Sequence, residues 1–142
     1  DRDDCVEVFI APDTSRVESY FNFEFNALTT ILDRSPFIER SSQWNANGIK
    51  VANHIVGTLN DTSDIDDYWT IELAIPLVTF ETFAPDIPPK QGQKWRLNLY
   101  RTGGDINLQY ATWSNTLRPK PQFHAPDRFG IVEFSTTPVI SK

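Results

Sequence analysis

The sequence predicts an all-β fold, an antiparallel two-sheet β-sandwich of the jelly-roll or immunoglobulin-like kind with at most one short helix. Apolar and polar residues alternate with a period of two in at least four segments. Clusters of Pro, Gly, Asn and Asp separate these segments, and no long helical pattern could cross over between parallel strands. Since 142 residues suffice for one domain with its own core, we expect a single sandwich over residues 1–142.

The first two strands are predicted to form a hairpin. The alternating pattern covers residues 5–10 and 21–26, and the turn-forming segment 11–15 lies between them. A hairpin closed symmetrically about Thr14 and Ser15 would place residue 7 opposite residue 22 and residue 5 opposite residue 24. Glu7 and Glu24 would then be diagonal neighbours, with Cβ atoms roughly 7–8 Å apart.

Later strands follow the same pattern. One is predicted over residues 69–75, where Pro76 ends it, and another over residues 95–100, before Gly103 and Gly104. Shorter strands are predicted at residues 49–58, 110–113 and 130–134. Apolar residues at helical spacing occur at residues 77–83, after Pro76, and predict a turn or two of helix.

Composition excludes several classes of partner. The net charge is −6 and no run of Lys or Arg occurs, which argues against nucleic acid and against anionic membrane surfaces. No window approaches the roughly 20 apolar residues of a membrane span. The single Cys5 cannot form an internal disulfide and fits either a reducing or an oxidising compartment.

The polar faces of the predicted strands carry carboxylates, amides and a guanidinium group, and two loops carry an aromatic residue between polar neighbours. Proteins bind sugar hydroxyls with such polar groups and stack aromatic rings on the flat C–H faces of sugars. The alternatives are a solvated sheet face and loop aromatics that fill the core. The candidate carbohydrate-binding residues are Glu7, Glu24, Trp44, Arg96, Asn98, Phe123 and His124.

Two carboxylates at the separation expected for Glu7 and Glu24 could also serve a glycosidase. Carboxyl groups lie roughly 5–5.5 Å apart in retaining enzymes and roughly 6.5–9.5 Å apart in inverting ones. The sequence has no nucleophile elbow, P-loop or zinc-protease motif, and His54 and His124 lie far apart without a signature around them. We therefore predict that the domain is not an enzyme, with a glycoside hydrolase as an alternative.

A metal site is a further possibility in an acidic loop that contains Asp61, Asp64 and Asp66. Calcium prefers clusters of oxygen ligands, although the spacing does not match the twelve-residue EF-hand loop. The sequence thus suggests structural calcium, and the alternative is an acidic loop that is simply solvated.

Six segments together resemble family 9 carbohydrate-binding modules and their DOMON-like relatives. Residues 4–10 and 20–26 are similar to the D-x-V-E-hydrophobic-F opening and the Y-x-x-F-x-x-N strand of that family. Residues 68–76 resemble its Y-x-x-E-x-x-I-P strand, with one additional residue between Tyr68 and Glu72, and residues 92–98 resemble its G-x-x-W-x-x-N strand. Trp113-Ser114 and residues 123–130 resemble the W-S and F-H-x-P-x-x-F-G ending. The order is that of the family over most of the chain.

The resemblance implies a non-catalytic β-sandwich that holds plant-type polysaccharide chains or chain ends between loop aromatics, often with structural calcium. It also implies a secreted, periplasmic or cell-surface protein with an attached or associated glycosidase. Glu7 matches a ligand-contacting glutamate of the family, and Phe123 takes the position of one of two clamping tryptophans.

Two departures from the family pattern concern the sugar site. Asp1 stands where the second clamping tryptophan belongs, and Glu24 replaces a sugar-binding arginine. An alternative function is therefore a protein-interaction or scaffold domain that has lost its sugar clamp.

The resemblance also bears on the N-terminal side. The chain begins where the central strand of the family begins, so we expect a domain truncated on its N-terminal side. Without the preceding strands, residues 5–10 would form an unpaired sheet edge that invites association.

Overall fold

The computed structural model describes residues 3–36, 44–104 and 108–138. Within these ranges the predicted all-β class is confirmed, because the regular elements are eight strands in two antiparallel sheets and two short 3-10 turns. None of the helices found there is long and apolar enough to cross a membrane. The strands are β1 (Cys5–Ala11), β2 (Phe21–Asn26), β3 (Ile31–Arg34), β4 (Lys50–Val56), β5 (Tyr68–Ala74), β6 (Lys94–Thr102), β7 (Tyr110–Thr112) and β8 (Gly130–Glu133).

The larger sheet has the strand order β3-β2-β1-β6-β7, and β8 pairs with the first half of β6. The smaller sheet is the hairpin β4-β5. In the larger sheet β1 lies between β2 and β6 and is antiparallel to both. The expected unpaired edge at residues 5–10 is therefore wrong, because β6, which comes much later in the sequence, supplies the second partner.

The register of the first hairpin differs from the prediction by two residues. Glu7 lies directly opposite Glu24 and not diagonally to it. The reason is the connecting loop, which contains two successive turns: the Arg16 amide donates to the Asp13 carbonyl (3.1 Å), and the Ser19 amide donates to the Arg16 carbonyl (2.8 Å). These turns centre the hairpin on Ser15 and Arg16.

The main core lies between the two sheets. Alternate residues of β1 and β2 point to this side and pack against the 3-10 segment after β5, Trp95 of β6 and the inner face of the β4-β5 hairpin. The buried members of this cluster are Val8, Ile10, Phe21, Phe23, Phe25, Phe80, Phe83 and Trp95. The helical turn expected at residues 77–83 is a 3-10 turn at Leu77–Phe80.

A second apolar cluster covers part of the opposite face of the large sheet. Phe9, Ala11, Tyr100 and Phe129 are buried there, with Tyr20 and Phe123 packed against them. The chain between β7 and β8 contributes the aromatic residues that cover this face. Both faces of β1 are thus in contact with other parts of the domain.

Replacement of Phe23 by Ala tests the main core. Phe23 is fully buried, so its truncation should lower the free energy of unfolding by about 3–5 kcal/mol. Denaturant unfolding followed by tryptophan fluorescence measures the loss. In the control, Leu28→Ala, the side chain is 59% exposed, and the expected change is within about 0.5 kcal/mol. Equal losses in both variants would contradict this description of the core.

Candidate functional site

A cavity of about 640 Å³ opens on the face of the large sheet that carries Phe9. Strands β1, β2 and β6 form its floor, β3 and β7 its sides, and the loop 121–124 its wall. Its lining residues are Cys5, Glu7, Glu24, Leu32, Arg34, Thr102, Tyr110, Pro121, Gln122, Phe123 and His124.

Strand register explains why these side chains meet. Residues directly opposite one another on neighbouring strands point to the same face of a sheet. One row across the sheet therefore contains Leu32, Glu24, Glu7 and Tyr100. The adjoining row contains Cys5, Thr102 and Tyr110. Five strands thus contribute side chains to a single surface.

Glu7 is the buried acid at the floor of the cavity, with only 8% of its surface exposed. The Thr102 hydroxyl donates a hydrogen bond to its Oε1 (3.1 Å), and the Cys5 thiol donates to the same oxygen (3.8 Å). Burial and the neighbouring charge of Glu24 raise the pKa of Glu7 to about 7. At neutral pH, therefore, Glu7 exchanges between its protonated and ionised forms.

Phe123 forms an aromatic wall beside this acid. Its ring stacks on Tyr100 with centroids 4.2 Å apart and planes inclined by 16°. The Tyr100 hydroxyl donates to the Phe123 carbonyl (2.7 Å), which fixes the backbone as well as the ring. Burial raises the pKa of Tyr100, so this hydroxyl stays protonated. Tyr110, which is 50% exposed, meets the Phe123 ring edge to face at 6.1 Å.

His124 follows Phe123 in the wall and also lines the cavity. Its Nδ1 and the Tyr20 hydroxyl form a 2.8 Å hydrogen bond, and its ring centroid lies 5.0 Å from that of Phe9. Desolvation of the ring, followed by the charge of Arg34, lowers the pKa of His124. The imidazole is therefore neutral at neutral pH.

Four of the seven predicted carbohydrate-binding residues meet in the cavity: Glu7, Glu24, Phe123 and His124. Trp44 does not lie there. It packs on the main core, with ring centroids 5.6 Å from Phe21 and 6.3 Å from Phe23, and lines a separate hollow of about 280 Å³.

Asn98 and Arg96 also lie outside the cavity lining. Asn98 is fully buried; its Nδ2 donates to the Tyr100 hydroxyl (2.8 Å) and the Ser114 carbonyl (2.9 Å). Its Oδ1 accepts from the Ser114 amide (2.8 Å). Arg96 donates from an Nη atom to the Phe129 carbonyl (2.9 Å). In this structure the two side chains anchor the chain between β7 and β8 to the sheet.

The predicted calcium ligands are engaged in hydrogen bonds within their own loop. Asp66 accepts from the Thr58 amide (2.6 Å), Asp64 from the Thr58 hydroxyl (2.8 Å) and Asp61 from the Ser63 amide (2.9 Å). In the described part of the chain no three His, Cys, Asp or Glu side chains are grouped as a metal site would require. Calcium binding by this loop stays a prediction.

Sequence reasoning missed several lining residues, above all Arg34 and Leu32. They belong to β3, a strand of four residues in which Ile31 and Leu32 are both apolar, so no alternation marks it. Thr102 lies beyond residue 100, where the sequence predicted that β6 would end. Tyr110 begins a predicted strand in which it shares one face with Thr112, and this shared face was the signal that could have found it.

The family model for Carbohydrate-binding family 9 matches residues 1–134 of the chain. The chain belongs to carbohydrate-binding family 9. A search of curated proteins gave no significant match to this family 9 domain.

A similar solved structure is that of a protein from Bacteroides uniformis, provisionally described as carbohydrate-binding. It shares 23% sequence identity, with a TM-score of 0.68 over 93% of this chain. The family 9 domain spans 61% of that protein's length. This likeness shows that the two proteins share a fold.

The raised pKa of Glu7 predicts that the domain loses stability as the pH rises. In the unfolded chain Glu7 ionises near pH 4.5, but in the folded protein it ionises near pH 7. The folded state therefore binds more protons between these values, and the free energy of unfolding falls across this window. Solvent in the open cavity limits the effect to about 1–2 kcal/mol.

Denaturant unfolding at pH 4.5 and pH 7.5 measures this change. In Glu7→Gln, which cannot ionise, the decrease should be smaller by that amount. Glu72→Gln removes an exposed charge from β5 and should retain the decrease of the parent protein. Parallel pH profiles for all three proteins would contradict the assignment to Glu7.

Proposed function

We propose that this domain is a non-catalytic module that binds carbohydrate chains or chain ends in the cavity beside Glu7. The observation that carries the proposal is the fixed Phe123 ring next to a buried carboxylate in an open cavity. Membership of carbohydrate-binding family 9 supports it.

The chemistry of the lining suits a sugar. Sugar hydroxyls donate hydrogen bonds to the carboxylates of Glu7 and Glu24, while Gln122 and Arg34 can donate to sugar oxygens. A sugar ring presents a C–H face that packs on an aromatic ring, and Phe123 and Tyr110 supply such rings. Because Tyr100 holds Phe123 from behind, little side-chain freedom remains to be lost on binding.

The cellular location of the protein and its associated enzyme are also part of the proposal. We infer that the domain works outside the cytoplasm, beside an attached or associated glycosidase that acts on plant-type polysaccharide. The basis is the resemblance of its strand motifs to modules of secreted polysaccharide-degrading systems. Release of the full-length protein into the medium or periplasm, measured by fractionation of the native host, tests the location.

Glycoside hydrolysis is a second candidate because of the hairpin register. Glu7 and Glu24 are directly opposite, which places their Cβ atoms about 4.5–5.5 Å apart, and retaining glycosidases need carboxyl groups at about 5–5.5 Å. A pKa of about 7 would also suit Glu7 as a general acid. A reducing-sugar assay decides between the candidates: we expect no product, whereas product formation that Glu7→Gln abolishes would overturn the non-catalytic proposal.

Replacement of Phe123 by Ala tests binding itself. Loss of the stacking contact should weaken the affinity for cello- or xylo-oligosaccharides about tenfold. Isothermal titration calorimetry of the parent and the variant measures the difference. Tyr68→Ala removes an exposed aromatic residue from the smaller sheet and should leave the affinity unchanged.

The parent titration also tests the alternative of a lost sugar clamp. No binding heat from the parent protein at millimolar oligosaccharide would contradict the proposal. It would favour a protein-interaction or scaffold domain.

A further inference from the structure

We propose that the cavity prefers sugars that carry a free, cationic amino group, and that the ammonium group binds between Glu7 and Glu24. This inference rests on the proposed function and specifies the class of sugar. The strand register places Glu7 and Glu24 side by side. The proposed function uses these two acids only as hydrogen-bond acceptors, whereas here their negative charge selects the ligand.

The first step is the position of the two acids. Glu7 of β1 and Glu24 of β2 are directly opposite on the face that lines the cavity. Glu7 is 8% exposed, and both of its hydrogen bonds, from Thr102 and Cys5, reach Oε1. In the part of the chain that the structure describes, no hydrogen bond to Oε2 of Glu7 is present. A buried acid thus has an acceptor oxygen left for a ligand.

The second step is the charge of the surroundings. The neighbours from β1, β6 and the loop wall include four groups that are neutral near pH 7: Cys5, Tyr100, Thr102 and His124. Arg34 of β3 is the cation of the lining; it lies opposite Asn22, in the row beside that of the two acids. No salt bridge joins it to either glutamate within the described residues.

The third step is the choice of cation. An ammonium group has three donors and a positive charge, so it can satisfy both acids at once. Calcium takes 6–8 oxygen ligands, and this floor offers two carboxylates among mostly neutral groups. The Phe123 ring beside the acids, held from behind by Tyr100, suits the ring of a sugar rather than a bare metal ion. An anionic sugar would meet repulsion from the same acids.

Protonation supports this reasoning. The pKa of Glu7 is raised to about 7 by burial and by Glu24, so below pH 7 most Glu7 side chains carry a proton that an ammonium group would displace. Near pH 6, where most of the sugar amine is already protonated, binding of a cationic sugar should therefore release protons from Glu7, whereas binding of a neutral sugar should not. Proton release is visible in calorimetry as a dependence of the binding enthalpy on the buffer.

The experiment compares three β-1,4-linked tetrasaccharides that differ at C2: cellotetraose with a hydroxyl, N-acetylated chitotetraose, and the fully deacetylated chitosan tetramer. Calorimetry at pH 6 with EDTA should show the chitosan tetramer binding about tenfold or more tightly than the other two. Its binding should also release protons. Glu24→Gln should reduce the preference to about twofold, and Glu72→Gln should leave it unchanged.

Each outcome decides something different. If cellotetraose binds as well as the chitosan tetramer, the proposed function stands and the amino-sugar preference is overturned. If none of the three binds, both proposals fail. If the preference survives in Glu24→Gln, or if no protons are released, the ammonium group does not lie between the acids. Glu24 is only half-buried, so its variant keeps the test valid even if Glu7→Gln does not fold.

Discussion

The double burial of β1 is the constraint on which the rest of the structure depends. A strand with β2 on one edge and β6 on the other, and with apolar clusters on both faces, has no freedom to slip. A shift by one residue would move Glu7 into the main core and Val8 onto the cavity floor. The position of the buried acid is therefore set by the packing of its neighbours in sequence.

A second determinant is the way the chain between β7 and β8 is attached to the sheet. Asn98 binds both the amide and the carbonyl of Ser114, and the Tyr100 hydroxyl binds the carbonyl of Phe123. These are hydrogen bonds between strand side chains and loop backbone, so they define the shape of a segment that has little regular structure. The aromatic wall keeps its place because the strand beneath it supplies these partners.

Much of the fold could be predicted from the local sequence pattern, because a strand that buries one face shows alternating apolar and polar residues. Glu7 and Phe123 could be singled out because both stand in distinctive local sequences. Asn98 shows the limit of such reasoning. Its place in an alternating strand predicts an exposed polar residue, yet the chain between β7 and β8 covers it, and the backbone of Ser114 takes its hydrogen bonds. The register of Glu7 and Glu24 depended on loop turns that the symmetrical interpretation did not include, and Arg34 depended on a strand too short to show a period. Each of these features is decided by tertiary contacts.

Cys5 gives the cavity a property of practical use. It is the only cysteine of the sequence and lies on the cavity floor, half-buried, where burial and the charge of Glu7 raise the pKa of its thiol. Alkylating reagents attack the thiolate, so coupling is slow at neutral pH and faster in alkaline buffer. A bulky group attached there would fill the cavity next to Glu7, so alkylation of the natural cysteine offers a way to block the proposed site without any engineered residue.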